Sequence, residues 1–212
     1  MQTARNFAAG SSFFERWRLF GFLALTLIAL SVWIAAMRQF EVDGVRMVIR
    51  FTARTSLLLF CLAFSAGALA RLWPTPWTRW QRRNRRYLGV SFAASHAIHA
   101  VAIACFAAMS PPLFMEATSA ASYVFGGIGY AFIIAMTATS FDRTAAAIGQ
   151  RGWRLLHLLG GYYLWFQFMV SFGKRIPGTP LYSLFLIPLL VVLTLRLIAM
   201  ASARSARTAR AA

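Results

Sequence analysis

The sequence predicts an all-α polytopic membrane protein, a six-transmembrane-helix bundle with both termini cytoplasmic. Three observations lead there. Of the 212 residues, 59% are hydrophobic and only 13% are charged, where a soluble domain carries about 25% charge. Nearly all-apolar stretches of about 20 residues recur, the length that crosses a hydrocarbon core of about 30 Å. These stretches lack period-two alternation, so the helix rather than the closed barrel satisfies their backbone groups in lipid. A soluble globular enzyme, a disordered chain and a disulfide scaffold are thereby excluded.

Six spans are read in order: Leu19–Met37, Thr55–Leu72, Tyr87–Met109, Ser119–Thr139, Trp153–Phe172 and Leu181–Met200. The first is not a cleaved signal peptide, because Arg38-Gln39-Phe40 follows it instead of a small-residue cleavage pattern. In the 38–54 connection, Val42, Val45, Val48 and Ile49 are spaced like a short interfacial helix or an early start to span 2. Glu116 follows Pro111-Pro112 in the outer loop after span 3, as a solvated acid. Gly126, Gly127 and Gly129 in span 4, with Gly160 and Gly161 in span 5, point to close helix packing through small residues. Pro188 is expected to kink span 6. The chain thus divides into a cytoplasmic N-terminal segment (1–18), the transmembrane domain (19–200) and a disordered basic tail (201–212) whose arginines lie near anionic headgroups.

The charged residues are lopsided, 22 Lys+Arg against 5 Asp+Glu. They sit in short segments between apolar runs rather than on a folded basic face, so membrane lipid and not nucleic acid is the expected partner. Assigned by side, the N-terminus, the 2–3 and 4–5 connections and the C-terminal region hold 16 of the 22, and the positive-inside rule places those segments in the cytoplasm. The strongest marker is the run Arg79, Arg82, Arg83, Arg85 and Arg86. Trp73, Trp77, Trp80 and Trp153 suit an inner aromatic belt, with Trp33, Trp165 and Tyr182 in the outer half. Arg143, Arg151 and Arg154 read as topology determinants, with Asp142 and Arg143 as a loop pair. Cys61 and Cys105 lie inside apolar runs and form no CxxC, which argues against a disulfide or zinc site.

All three histidines fall inside spans. His96 and His99 are three apart and share one face of span 3, while His157 lies early in span 5. Intramembrane ionisable residues are costly and are functional candidates by default. Spans 3 and 5 run parallel, so their imidazoles suit axial ligation of a heme iron, and they equally suit hydrogen bonds between helices. At about 1.5 Å rise per residue, His96 is nearer His157 in depth than His99 is. Nothing supports hydrolysis or group transfer: there is no nucleophile–base pair, carboxylate dyad or phosphate-cradling loop. No acidic ring or filter-like stretch suggests a channel, and no internal repeat suggests an inverted-repeat transporter.

Several stretches carry a family resemblance. Arg85-Arg86-Tyr87-Leu88-Gly89, with His99 ten residues after the glycine, resembles the third span of the ferric reductase-like transmembrane domain superfamily. Thr139-Ser140, Arg143, Gly149, Trp153 and Leu156-His157 resemble its passage into span 5, and Thr52-Ala53-Arg54-Thr55-Ser56-Leu57 with Ala70-Arg71 resemble the borders of its span 2. The resemblance covers roughly residues 20–200, and the layout is most similar to the heme-binding membrane subunits of periplasmic methionine sulfoxide reductase systems. It implies a six-helix bundle that holds b-type heme and passes electrons across the membrane. His99 matches the family's outer span 3 ligand and His157 its inner span 5 ligand. At the usual second span 5 histidine this chain has Val170, with Ser171 next, and valine cannot ligate iron. The expectation is therefore one heme, with His157 opposite His99 or His96. Met169 is a weaker thioether candidate, and Gln167 a hydrogen-bond donor.

The residues after span 6 leave no room for a flavin- or nicotinamide-binding domain. Electrons are expected from a quinol or a separate reductase, and they pass to an outer-face acceptor. The predicted function is that of an inner-membrane, metal-binding electron-transport subunit of an oxidoreductase system, with heme b as cofactor and a quinone as a second candidate. The alternative is a heme-free membrane anchor or partner subunit that keeps the fold.

Overall fold

Apolar runs without strand alternation have one way to satisfy their backbone in lipid, and they take it. The computed structural model describes residues 14–211, and among these residues every regular element is helical. The elements are α1 (Arg16–Ala36), α2 (Val42–Leu72), α3 (Pro76–Arg83), α4 (Arg85–Met109), α5 (Pro111–Ala117), α6 (Ala120–Ala138), α7 (Asp142–Gly173), a 3-10 turn (Pro180–Phe185) and α8 (Leu186–Ala211). Among the described residues, six helices are long and apolar enough to cross a membrane: α1, α2, α4, α6, α7 and α8, the last counted with its 3-10 turn. Residues 1–13 of the N-terminal segment and residue 212 of the tail lie outside the described residues.

Four features refine or correct the sequence expectation, each for a local reason. Span 2 begins at Val42, so the Val42/Val45/Val48/Ile49 pattern is the early start of α2 rather than a separate helix. The chain turns from α1 into α2 through Gln39 and Phe40 in left-handed conformations (φ 51° and 57°), with Phe40 N–H donating to the Ala35 carbonyl at 2.9 Å. Span 5 is preceded by extra helix from Asp142, joined across Gly149, whose φ of 68° breaks the helical path. A side chain there would be strained, because the left-handed region is open mainly to glycine. Pro188 does not kink span 6; it is the third residue of α8, in the first turn, where its missing N–H has no intrahelical acceptor to serve. The tail expected to be disordered from 201 continues α8 through Ala211; alanine and arginine are among the strongest helix formers.

The described chain forms two compact units, each with its own packing. The first runs up to Leu59 and includes Arg86–Ser119; the second is Phe60–Arg85 with Ala120–Ala212. In the first, Ala35, Val45, Val48, Ala102 and Phe106 form a buried core, with Ile34, Val42, Ile49, Ile98 and Phe114 packed around it. In the second, Phe60 stacks on Phe64 with centroids 5.0 Å apart and meets Phe168 at 5.3 Å, while Trp165 donates through Nε1 to the Leu189 carbonyl at 2.9 Å. The span 5 glycines do admit a close approach. A Cβ on Gly160 would meet Phe132 Cδ1 at 3.0 Å and Met136 Sδ at 2.5 Å, whereas Gly126 and Gly127 have nothing within 4 Å of such an atom. Gly160→Val is expected to lower the unfolding free energy in detergent by about 1–3 kcal/mol, the usual range for overpacking; Gly126→Val is expected to leave it unchanged in the same denaturation assay.

Candidate functional site

A polar side chain in a span must find its partners within the protein, so the partners of each histidine reveal its state. In the first unit, α4 carries Ser95, His96 and His99, and α2 carries Thr52, Thr55 and Ser56. Thr52, Ser56 and Ser95 are fully buried. Ser56 Oγ donates to Ser95 Oγ at 2.9 Å, Ser95 Oγ donates to the Thr52 carbonyl at 3.3 Å, and Thr55 Oγ1 lies 3.0 Å from Ser95 Oγ. These hydroxyls fix α4 against α2 one turn from His99.

His99 is held by the same turn of α2. Its Nδ1 lies 2.9 Å from Thr52 Oγ1 and 3.1 Å from the Ile49 carbonyl oxygen. Thr52 Oγ1 sends its own proton to the Val48 carbonyl at 2.7 Å, and the Ile49 carbonyl can only accept. The proton therefore sits on Nδ1, which donates to both oxygens. In the neutral ring this leaves Nε2 as the nitrogen with the lone pair. A metal-ligating histidine characteristically has this arrangement, its other N–H tied to a carbonyl or comparable acceptor that fixes tautomer and ring orientation. His96 shares the face, as its spacing predicts: the two rings are 5.5 Å apart, and Phe92 lies against His96 at 4.9 Å.

His157 belongs to the second unit and is held differently. Its ring stacks on Trp153 at 4.3 Å, and Trp153 Nε1 donates to the Thr139 carbonyl at 3.0 Å. His157 Nε2 is 3.3 Å from Thr139 Oγ1, whose proton goes to the Ala135 carbonyl at 2.7 Å. Thr139 is thus the acceptor and Nε2 carries the hydrogen. His157 has to exchange this contact before Nε2 can ligate anything. Met169 and Gln167 are half-buried on α7, and Val170 is 45% exposed. Arg143, Arg151, Arg154, Glu116 and Asp142 are all exposed. Both cysteines are free, Cys61 buried and Cys105 exposed.

A b-type heme asks a protein for axial nitrogens in a dry setting. The donor chemistry of both imidazoles suits that demand, His99 with Nδ1 held by Thr52 and Ile49, and His157 after loss of its 3.3 Å contact with Thr139. Thr52, Ile49 and Thr139 stand in the sequence patterns above with no role at the histidines, and the structure places them against the imidazole nitrogens. A signal for the first was present: Ser91, Ser95 and His99 recur every four residues in span 3, and Thr52, Thr55 and Ser56 repeat the helical spacing in α2. Neither a protein-family model, nor a curated protein, nor a solved structure matches the chain.

Proposed function

We propose that the chain is an integral-membrane b-type cytochrome that passes electrons across a bacterial inner membrane, from a quinol or a separate reductase to an outer-face acceptor. Six membrane-length helices supply the setting, and the orientation that puts both termini in the cytoplasm rests on the charge asymmetry of the connections. The observation that carries the proposal is the hold on His99 Nδ1, 2.9 Å from Thr52 Oγ1 and 3.1 Å from the Ile49 carbonyl oxygen, which favours the tautomer with its lone pair on Nε2. His99 and His157 are the proposed iron ligands, with His96 the alternative on its own helix face. The heme supplies a reversible one-electron couple. The protein's part is to hold the imidazoles, fix their tautomers and exclude water.

The Thr139–His157 contact favours a second reading, a heme-free partner subunit of the same fold, and a substitution separates the two. Thr139→Val removes the acceptor and frees His157 Nε2. For the cytochrome, hemin titration of the heme-depleted chain is expected to show binding about fivefold tighter than wild type, the equivalent of one released hydrogen bond of about 1 kcal/mol. Unaltered, negligible uptake by both proteins supports the heme-free subunit. Transport of electrons is tested in proteoliposomes with trapped ferricyanide and a quinol added outside. Reduction of the trapped acceptor above that of empty vesicles supports the proposal, and equal rates overturn it.

A further inference from the structure

The short helix α3 turns its polar side to the protein and its indoles outward. α2 ends at Leu72 and α4 begins at Arg85, both of membrane-spanning length and composition, so the segment between them lies at the membrane boundary. Eight residues are too few to hold a helix in water unaided, and three devices fix this one. Pro76 is its first residue, Thr75 and Thr78 close a capping box, and Gln81 Nε2 donates to the Leu62 carbonyl of α2 at 2.8 Å and to Ser65 Oγ at 3.2 Å. Thr78, Gln81 and, just beyond the helix, Asn84 are buried as a result.

The opposite side is apolar and basic. Trp77 is 61% exposed and stacks on Trp80 with centroids 4.7 Å apart, and Trp73, four residues earlier, is 54% exposed. A helix facing water would bury these indoles and expose its amide. By helical spacing Trp77 and Trp80 form one stripe, Gln81 and Thr78 the next, and Arg82 and Arg79 the third. Both arginines are exposed, and the sequence holds no Asp or Glu between Asp43 and Glu116. Indoles at the boundary of headgroup and acyl chain, with arginines beside them, are the composition of a helix lying in the interfacial plane. Basic side chains at that depth attract anionic lipid.

We propose that α3 is an interfacial helix that selects anionic phospholipid, with Trp77 seated where headgroup meets acyl chain and Arg79 and Arg82 on the lipid phosphate. This assignment is independent of the heme proposal. The test uses the full chain in phosphatidylcholine vesicles that contain a small share of either phosphatidylglycerol or phosphatidylcholine with brominated acyl chains, which quench nearby indoles. The difference between wild type and Trp77→Phe isolates the signal of α3. Brominated phosphatidylglycerol is expected to quench that signal more than an equal share of brominated phosphatidylcholine. Arg82→Gln is expected to lower the local enrichment about fivefold, Arg79→Gln with Arg82→Gln to lower it further, and Arg82→Lys to keep it. Arg79 also donates to the Pro74 carbonyl, so if the double variant misfolds, Arg82→Gln decides. Equal quenching by the two lipids, or wild-type enrichment in Arg82→Gln, overturns the proposal. So does a Trp77 signal that neither lipid quenches, which would assign the face to a protein partner, and so does loss of the enrichment in millimolar inorganic phosphate, which would assign the arginines to a free anion.

Discussion

His99→Ala is expected to abolish stoichiometric heme binding while leaving the helical fold in place. Loss of an outer-shell partner alone weakens a metal site about 10–100-fold, so removal of the ligand is expected to exceed that, read as heme per chain after purification with a heme supply. The fold is expected to survive because the interhelical polar contacts of His99 Nδ1, to Thr52 Oγ1 and the Ile49 carbonyl, are of a kind that averages about 0.6 kcal/mol each in membranes. The Ser56 and Ser95 hydroxyls and the Thr52 carbonyl still hold α4 to α2 without the imidazole. Unchanged circular dichroism and elution, with heme lost, is the expected pair of results. Full heme occupancy in this variant would remove His99 from the site.

Thr52→Val is the second large effect, and it acts through His99. Valine keeps the shape but cannot accept from Nδ1, so the Ile49 carbonyl becomes the one remaining oxygen at that nitrogen. Heme affinity is expected to fall by about 10-fold or more, and the midpoint potential is expected to shift, because the hydrogen bond to Nδ1 tunes the basicity of Nε2. Thr52→Ser, which restores the hydroxyl, is expected to restore both. A purely structural role for Thr52 would change thermal stability with no shift in potential. Imidazole nitrogen-15 spectra of the heme-free chain supply a reading that needs no heme: His99 is expected to remain protonated on Nδ1 in wild type and in both variants, since the Ile49 carbonyl persists. Thr52→Val and Thr139→Val remove chemically identical hydroxyls and are expected to act in opposite directions, because one hydroxyl orients a proposed ligand and the other occupies one.

The opposition between those two threonines marks how far the sequence was legible. The spans were readable because lipid leaves the backbone no alternative to hydrogen-bonded helix, so apolar length alone locates α1, α4 and α6 to within a few residues. The start of α2 at Val42 was legible as one of two readings of Val42, Val45, Val48 and Ile49; that of α7 was not, since the helix extends across Gly149 beyond its most apolar stretch. The proline reading missed because Pro188 acts by its position in the turn, and α8 starts later than hydropathy indicates. The shared face of His96 and His99 followed from spacing. Their difference did not: the tautomer of His99 depends on Thr52 and Ile49, 47 and 50 residues away in the chain. The hold on His157 depends likewise on Thr139, beyond the turn between α6 and α7. Hydrogen-bond partners across helices are set by rotation of each helix about its axis, which no periodicity within one span reports.

The most direct test is a dithionite-reduced minus oxidised absorption spectrum of the detergent-purified chain, expressed with a heme supply, with heme quantified per chain. The account predicts a sharp b-type band at close to one heme per chain. A folded, heme-supplied protein with no stoichiometric heme would contradict it.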